Sequence, residues 1–197
     1  MTNKEKILEM AKVNGGYVTI REIKASKINT ANLTRLVNDG ELERVSTGYY
    51  CLPNAFVDDY YRVLSKCKNA IFSYATALYL HNLTDRTPIY FDITVPTGYG
   101  GPLQNISNVY LHYVDKKILN LGMQEIKSPF GMNIKCYDVE RTICDLVKNK
   151  NNIDKEIYSK ALKEFVKRKD KDLLKLVKYA KVLKIEKEIV EVLEVLL

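Results

Sequence analysis

Four side chains between Asn29 and Asp39 have the chemistry of base recognition: Ala31, Thr34, Arg35 and Asn38. On a helix they share one face, opposite an apolar stripe of Leu33, Leu36 and Val37 at i, i+3 and i+4. Arginine and asparagine offer planar donors and acceptors that match base edges. Threonine is short and alanine leaves a gap, so the set fits a major groove. Thr30 and the helix N-terminus are expected to meet phosphate, because free backbone N–H groups there favour anions. Asn29 is the expected cap, and Gly40 is expected to end the helix in the left-handed conformation. An ordinary amphipathic helix with a solvated face has the same pattern, so the flanking elements must decide.

Other constellations point elsewhere. His81 and Asp85 lie four apart, but no nucleophile motif such as G-x-S-x-G accompanies them, and a histidine near a helix C-terminus is ordinarily packed or dipole-stabilising. The glycines between Gly98 and Gly101 are not followed by the lysine and hydroxyl of a phosphate loop. The best enzymatic candidate is Asp92 on one strand with Glu125-Ile126-Lys127 on another, the way a Mg²⁺-dependent nuclease sets carboxylates beside a lysine. Cys51, Cys67, Cys136 and Cys144 show no C-x-x-C spacing, and with only His81 and His112 beside them a zinc site is not expected. The reading is therefore of a non-enzyme with no catalytic residues, no metal and no cofactor.

The elements that would position the base-reading face follow in order. Glu5–Asn14 reads as a helix ended by Gly15 and Gly16, and Tyr17-Val18 as a brief strand. Thr19-Ile20-Arg21-Glu22 has the T-x-x-E form of a capping box that opens a second helix, which yields near Ser26-Lys27-Ile28 to the helix capped by Asn29. Two helices joined by a short turn make a helix-turn-helix. Leu42–Val45 and Tyr49–Leu52 then alternate as strands around Ser46-Thr47-Gly48, a hairpin in the position of a wing. Arg21, Lys24 and Lys27 are the expected backbone anchors, while Arg44, Ser46 and Thr47 bring the wing to a neighbouring groove or strand.

Pro53-Asn54-Ala55 reads as the exit from this module. Asp58–Lys68 reads as a linking helix with Tyr61, Leu64 and Cys67 inward, and Ser73 as the cap of an apolar helix to His81. Ile89, Phe91, Ile93 and Val95 alternate with Tyr90, Asp92 and Thr94 as a strand with one buried face. Val109, Leu111 and Tyr113 give another strand, and Ser128-Pro129-Phe130-Gly131 a hairpin turn. Asp138 caps a helix through Leu146. Three further helices are expected over 153–167, 170–181 and 185–197, the first two faced by Lys160, Lys163, Lys167, Arg168, Lys169, Lys171, Lys175, Lys178 and Lys181.

The chain of 197 residues is 46% hydrophobic and 28% charged, which excludes a disordered protein. No apolar run approaches a membrane span and MTNKEKILEM has no signal core, so no membrane is expected and a cytoplasmic location is. A net charge of +7 fits a polyanionic partner. The expected fold is α+β. A winged helix-turn-helix DNA-binding domain covers residues 1–52. A larger α+β domain follows over 53–197, with a small, mostly antiparallel sheet and a C-terminal helical bundle.

Three blocks carry a family likeness: GELERVSTGYY (Gly40 to Tyr50), SYATALYLHNLTD (Ser73 to Asp85) and YDVERTICDLV (Tyr137 to Val147). Together they resemble the AbiEi antitoxins of type IV abortive-infection toxin–antitoxin systems. The resemblance implies a transcriptional autorepressor whose N-terminal domain binds inverted repeats in its own promoter, double-stranded DNA being the partner. It also implies a C-terminal domain that counteracts a nucleotidyltransferase toxin, without requiring a stable complex. The lysine face from Lys160 to Lys181 is the candidate antitoxin surface. The alternatives are the Mg²⁺-dependent nuclease with a DNA-binding module, and a winged-helix regulator that senses a small ligand.

Overall fold

The computed structural model describes residues 1–56 and 58–196. The chain has a mixed α+β fold with two sheets, and it divides into two compact units, 1–68 with 127–133, and 69–126 with 134–197. Each is built around its own apolar clusters.

The first unit begins with α1 (Asn3–Val13), two residues earlier than the apolar pattern suggests. Thr2 and Glu5 form a capping box in which each satisfies the other's backbone N–H. β1 (Tyr17–Thr19) leads into α2 (Ile20–Ala25) through the second capping box, with Glu22 accepting from Thr19 N at 2.7 Å. Then come α3 (Ala31–Asn38), β2 (Glu43–Ser46), β3 (Tyr49–Cys51) and α4 (Asp59–Ser65). The three strands form an antiparallel sheet in the order β1-β3-β2. Ile7, Ala11, Val18, Ile23, Ile28, Leu33, Leu36 and Leu42 make one buried cluster, which sets the faces that α1, α2 and α3 turn outward. Gly40 and Gly48 take φ of 72° and 79°, which ends α3 and turns the β2–β3 hairpin.

Residues 53–68, read from sequence as the start of the second domain, pack within the first unit. On α4 the inward residues are Tyr60 and Val63, one turn apart, while Tyr61 and Leu64 are half-buried. Tyr61 packs its ring against Tyr49 at 5.3 Å, and Tyr49 in turn stacks on Tyr17. The turn 127–133 completes this cluster. Met132 packs against it, and Ser128 Oγ donates to the buried Asp58 Oδ2 at 2.5 Å.

The second unit holds β4 (Ile71–Phe72), α5 (Tyr74–Leu80), β5 (Phe91–Pro96), β6 (Val109–Val114), α6 (Lys116–Leu119), β7 (Met123–Lys127) and β8 (Asn133–Tyr137). α7 (Val139–Lys148), α8 (Lys155–Lys167), α9 (Leu173–Leu183) and α10 (Glu186–Leu196) follow. The end of the last expected helix at Leu197 lies outside the described residues. The five strands run in the order β6-β5-β4-β8-β7.

The sheet is mixed and not mostly antiparallel. β4–β5 is antiparallel, but β5–β6 and β4–β8 are parallel. The reason lies in the connection over 97–108: about a dozen residues are enough for a crossover that returns β6 in the direction of β5.

Two burial expectations for β5 also change. Ile89 is 85% exposed, because it precedes the first ladder pair, Phe91 with Val109. Thr94 is buried, and its hydroxyl donates to Ser73 Oγ at 2.9 Å. Ser73, the expected cap of α5, therefore makes no side-chain cap bond. One buried cluster gathers residues from α5 and from α7 to α10, with Phe165, Leu176, Ala180 and Ile189 fully enclosed.

Candidate nucleic-acid interface

α3 is held by Leu33 and Leu36, both essentially inaccessible, with Val37 half-buried beside them. That leaves Ala31, Thr34, Arg35 and Asn38 exposed together on the outer face, as the spacing predicts. The start of the helix differs from expectation in one respect. Asn29 Oδ1 accepts from Ala31 N at 2.9 Å, Asn32 N bonds Asn29 O and Leu33 N bonds Thr30 O. The first-turn N–H groups are thus already used, and no free backbone cluster awaits a phosphate. Half-buried Thr30, whose hydroxyl makes no cap bond, is what this end retains for an anion.

Lys27 sits in the turn between α2 and α3 with φ of 57°. Ile28 N bonds Ile23 O and Lys27 N bonds Lys24 O, the paired closure in which the left-handed residue is usually glycine. Ile28 is buried behind it, so the turn fixes the angle between the two helices and points Lys27 outward. Arg21 and Lys24 lie exposed on α2.

On the hairpin, Arg44 and Thr47 are exposed, while Ser46 is half-buried and its Oγ is enclosed without a partner. A register shift between Arg44 and Ser46 turns Ser46 inward, which removes it from the presented set. The tip is tied down by the bond from Ile20 N to Gly48 O at 2.9 Å, which fixes the hairpin to the start of α2.

Among the described residues Arg21, Lys24, Lys27, Arg35 and Arg44 make no ion pair, although all are exposed. Of the acids close by in sequence, Glu22 is committed to its capping box and Asp39 to Lys4, while Glu41 and Glu43, beside Arg44, are exposed and make no ion pair among the described residues. Five cations around one exposed helix and one hairpin attract a phosphate backbone.

The lysine face of the second unit is built differently. Lys160 pairs with Asp85, Lys167 with Glu164 and Lys181 with Glu186. Arg168 grips Asp170 through two nitrogens and donates from its third to His81 O at 3.0 Å. Lys171 donates to Arg168 O. Lys175 bridges Asp138 and Glu140 at 2.9 Å each. Burial lowers its pKa, but the bonds and charges of the two carboxylates outweigh this and hold it above the ordinary lysine value. Of the nine cations on this face, Lys163, Lys169 and Lys178 are exposed without an ion pair among the described residues.

The enzymatic candidates do not assemble. Asp92 Oδ1 accepts from His112 Nε2 at 2.7 Å, and β5, which carries Asp92, is separated from β7, which carries Glu125, by β4 and β8. Three strand spacings put them on the order of 14 Å apart. His81 is buried and bonds Tyr137 O from Nε2 at 2.6 Å, while Asp85 pairs with Lys160. Burial pushes the His81 imidazole below the ordinary histidine range, so it is a packed, neutral donor. Among the described residues no cluster of three or more His, Cys, Asp or Glu could hold a metal. No helix among them is long and apolar enough to cross a membrane.

Sequence reading missed the polar interior of α7. Arg141 and Asp145 are both buried, Arg141 lies over the Tyr137 ring at 4.3 Å, and its Nη1 donates to Ile118 O and Leu121 O. The available signal was the i, i+4 spacing of Arg141 and Asp145, opposite charges inside a segment, Val139–Val147, whose other residues include five apolar ones.

Residues 5–53 match the family model described as transcriptional regulator, AbiEi antitoxin. No curated protein matches the chain. Among solved structures, that of the RV2827C protein from Mycobacterium tuberculosis is similar, with a TM-score of 0.56 and 13% identity over 92% of this chain and 72% of that one. That likeness is one of fold.

Proposed function

We propose, from the premise that residues 5–53 belong to the AbiEi antitoxin family of transcriptional regulators, that this chain is the antitoxin and autorepressor of a type IV toxin–antitoxin operon. In this reading α1 to α3 with the β2–β3 hairpin act as a winged helix, residues 1–52 do the DNA work, and 53–197 do the antitoxin work. α3 enters the major groove of inverted repeats in the operon's own promoter. Arg35 and Asn38 meet base edges, Thr34 and Ala31 fit against them, and Thr30, Arg21, Lys24 and Lys27 hold phosphates. Arg44 and Thr47 carry the wing to the flanking backbone. The observation that supports this best is the set of five exposed, unpaired cations around α3 and the hairpin.

The antitoxin role counteracts a nucleotidyltransferase toxin, in the cytoplasm where promoter and toxin both are. Its candidate surface narrows to Lys163, Lys169 and Lys178, because the other cations of that face already have acidic or carbonyl partners.

Co-expression with the neighbouring gene and a promoter fusion tests both halves. Arg35→Ala with Arg44→Ala should abolish repression and leave rescue from the toxin intact. Lys163→Glu with Lys178→Glu should impair rescue and leave repression intact. Joint loss of both activities in either variant, with the chain still folded, would refute the division.

A further inference from the structure

We infer that two copies of this chain pair through the open edge of the five-stranded sheet, β6 against β6 about a two-fold axis. β6 and β7 are its terminal strands. Terminal strands are normally guarded against pairing by charge, proline or a bulge. β7 is guarded, with Glu125 and Lys127 in Met123–Lys127. β6 is not. Its sequence, Val-Tyr-Leu-His-Tyr-Val, has no acidic residue, lysine, arginine or proline, and it runs beside β5 from Val109 to Val114 without a register shift.

The backbone shows which groups face outward. Asn108 O accepts from Phe91 N, and Val114 O accepts from Thr97 N, so these carbonyls point toward β5. By alternation Tyr110 and His112 also turn their backbone groups inward, and Val109, Leu111 and Tyr113 turn theirs out. Val109 N–H is already bonded to Ile106 O. The outward groups of Leu111 and Tyr113 have no partner among the described residues.

A second copy suits this edge better than a foreign strand because the strand complements itself. A two-fold axis perpendicular to the sheet at Leu111 sets Leu111 opposite its own copy. The Leu111 N–H and C=O groups then bond reciprocally. Each Tyr113 N–H meets the Val109 C=O of the other copy, while the Val109 N–H stays in its turn. On one face Tyr110 comes opposite His112, and on the other Tyr113 comes opposite Val109. Aromatic pairs and aromatic–β-branched pairs are the favourable cross-strand combinations, and no like charges meet. Tyr110 and Tyr113 are 60% and 48% exposed, and lie on opposite faces of the strand, so both faces gain cover. A two-fold pair also suits an inverted-repeat operator, but the pairing does not rest on the DNA reading.

Sedimentation of the full chain without DNA tests this. An edge of six residues is small, so association is expected from about 1 to about 200 µM, not as an obligate dimer. The mass should rise from 22.7 kDa toward twice that value. Tyr110→Lys with Tyr113→Lys removes the tyrosine from each cross-strand pair and brings the two ammonium groups introduced in place of Tyr110 diagonally across the axis, and should weaken association at least about tenfold, with circular dichroism unchanged. Tyr113→Pro removes an outward N–H while sparing the ladder to β5, and should do the same. If Tyr113→Pro fails to fold, the lysine variant decides. A wild-type chain that stays at 22.7 kDa throughout, or a folded lysine variant that associates as tightly as wild type, would overturn the inference.

Discussion

Arg141 donates from Nε to Asp145 Oδ1 at 3.0 Å, one helical turn along α7, with both side chains almost wholly buried. The same guanidinium satisfies the carbonyls of Ile118 and Leu121 and covers the Tyr137 ring, so one side chain ties α6, α7 and β8 together. Arg141→Ala would leave a buried carboxylate and the Leu121 carbonyl without their partner, while the Ile118 carbonyl keeps its bond from Leu121 N. The expected cost is about 3–5 kcal/mol, read from urea denaturation followed by circular dichroism. Arg141→Lys should recover only part of it, because an ammonium cannot reproduce the planar fork. A loss below about 1 kcal/mol for the alanine variant would mean that α7 does not depend on this network.

His81 gives the second unit a pH dependence of definite sign. Its folded pKa is depressed by burial, and the Tyr137 carbonyl can only accept, so Nε2 carries the proton of a neutral ring. The unfolded imidazole binds a proton below about pH 6.5 and the folded one resists doing so. The unfolded state therefore holds more protons, and stability falls as pH drops from about 6.5. His81→Gln keeps an N–H for the carbonyl and removes the titration. It should flatten the melting temperature between pH 7 and pH 5, and an unchanged slope would contradict the assignment.

What was legible in the sequence is what local chemistry decides. Thr19 and Glu22 announced their capping box, Gly40 and Gly48 their turns, and Leu33 with Leu36 the buried side of α3. What was not legible depends on partners far along the chain. The direction of β6 follows from a crossover, and Thr94 is buried because β5 is covered on both faces along Ile93–Val95. The lysine face looked open because its neutralising acids are remote: Asp85 meets Lys160, and Asp138 meets Lys175, only after folding. Ser46 was misplaced for a smaller reason, a single register shift in a short hairpin.

Lys27 occupies a left-handed position that glycine would fill without strain. Releasing it gains roughly 1–2 kcal/mol, and glycine's greater freedom in the unfolded chain takes back roughly 0.5–1. Lys27→Gly should thus raise the melting temperature by about 2–4 °C, while weakening DNA binding on all sequences alike and lowering the salt slope by about one. A melting temperature that falls would show that the lysine stem makes contacts beyond its strained backbone.

The central claim is that the exposed face of α3 reads bases. Fluorescence anisotropy over a salt series, with promoter DNA and a scrambled duplex, measures it most directly on wild type and Arg35→Ala. The account predicts a loss of roughly 1–3 kcal/mol on promoter DNA and a much smaller loss on the scrambled duplex, so that discrimination collapses. An equal loss on both duplexes, or none on either, would contradict it.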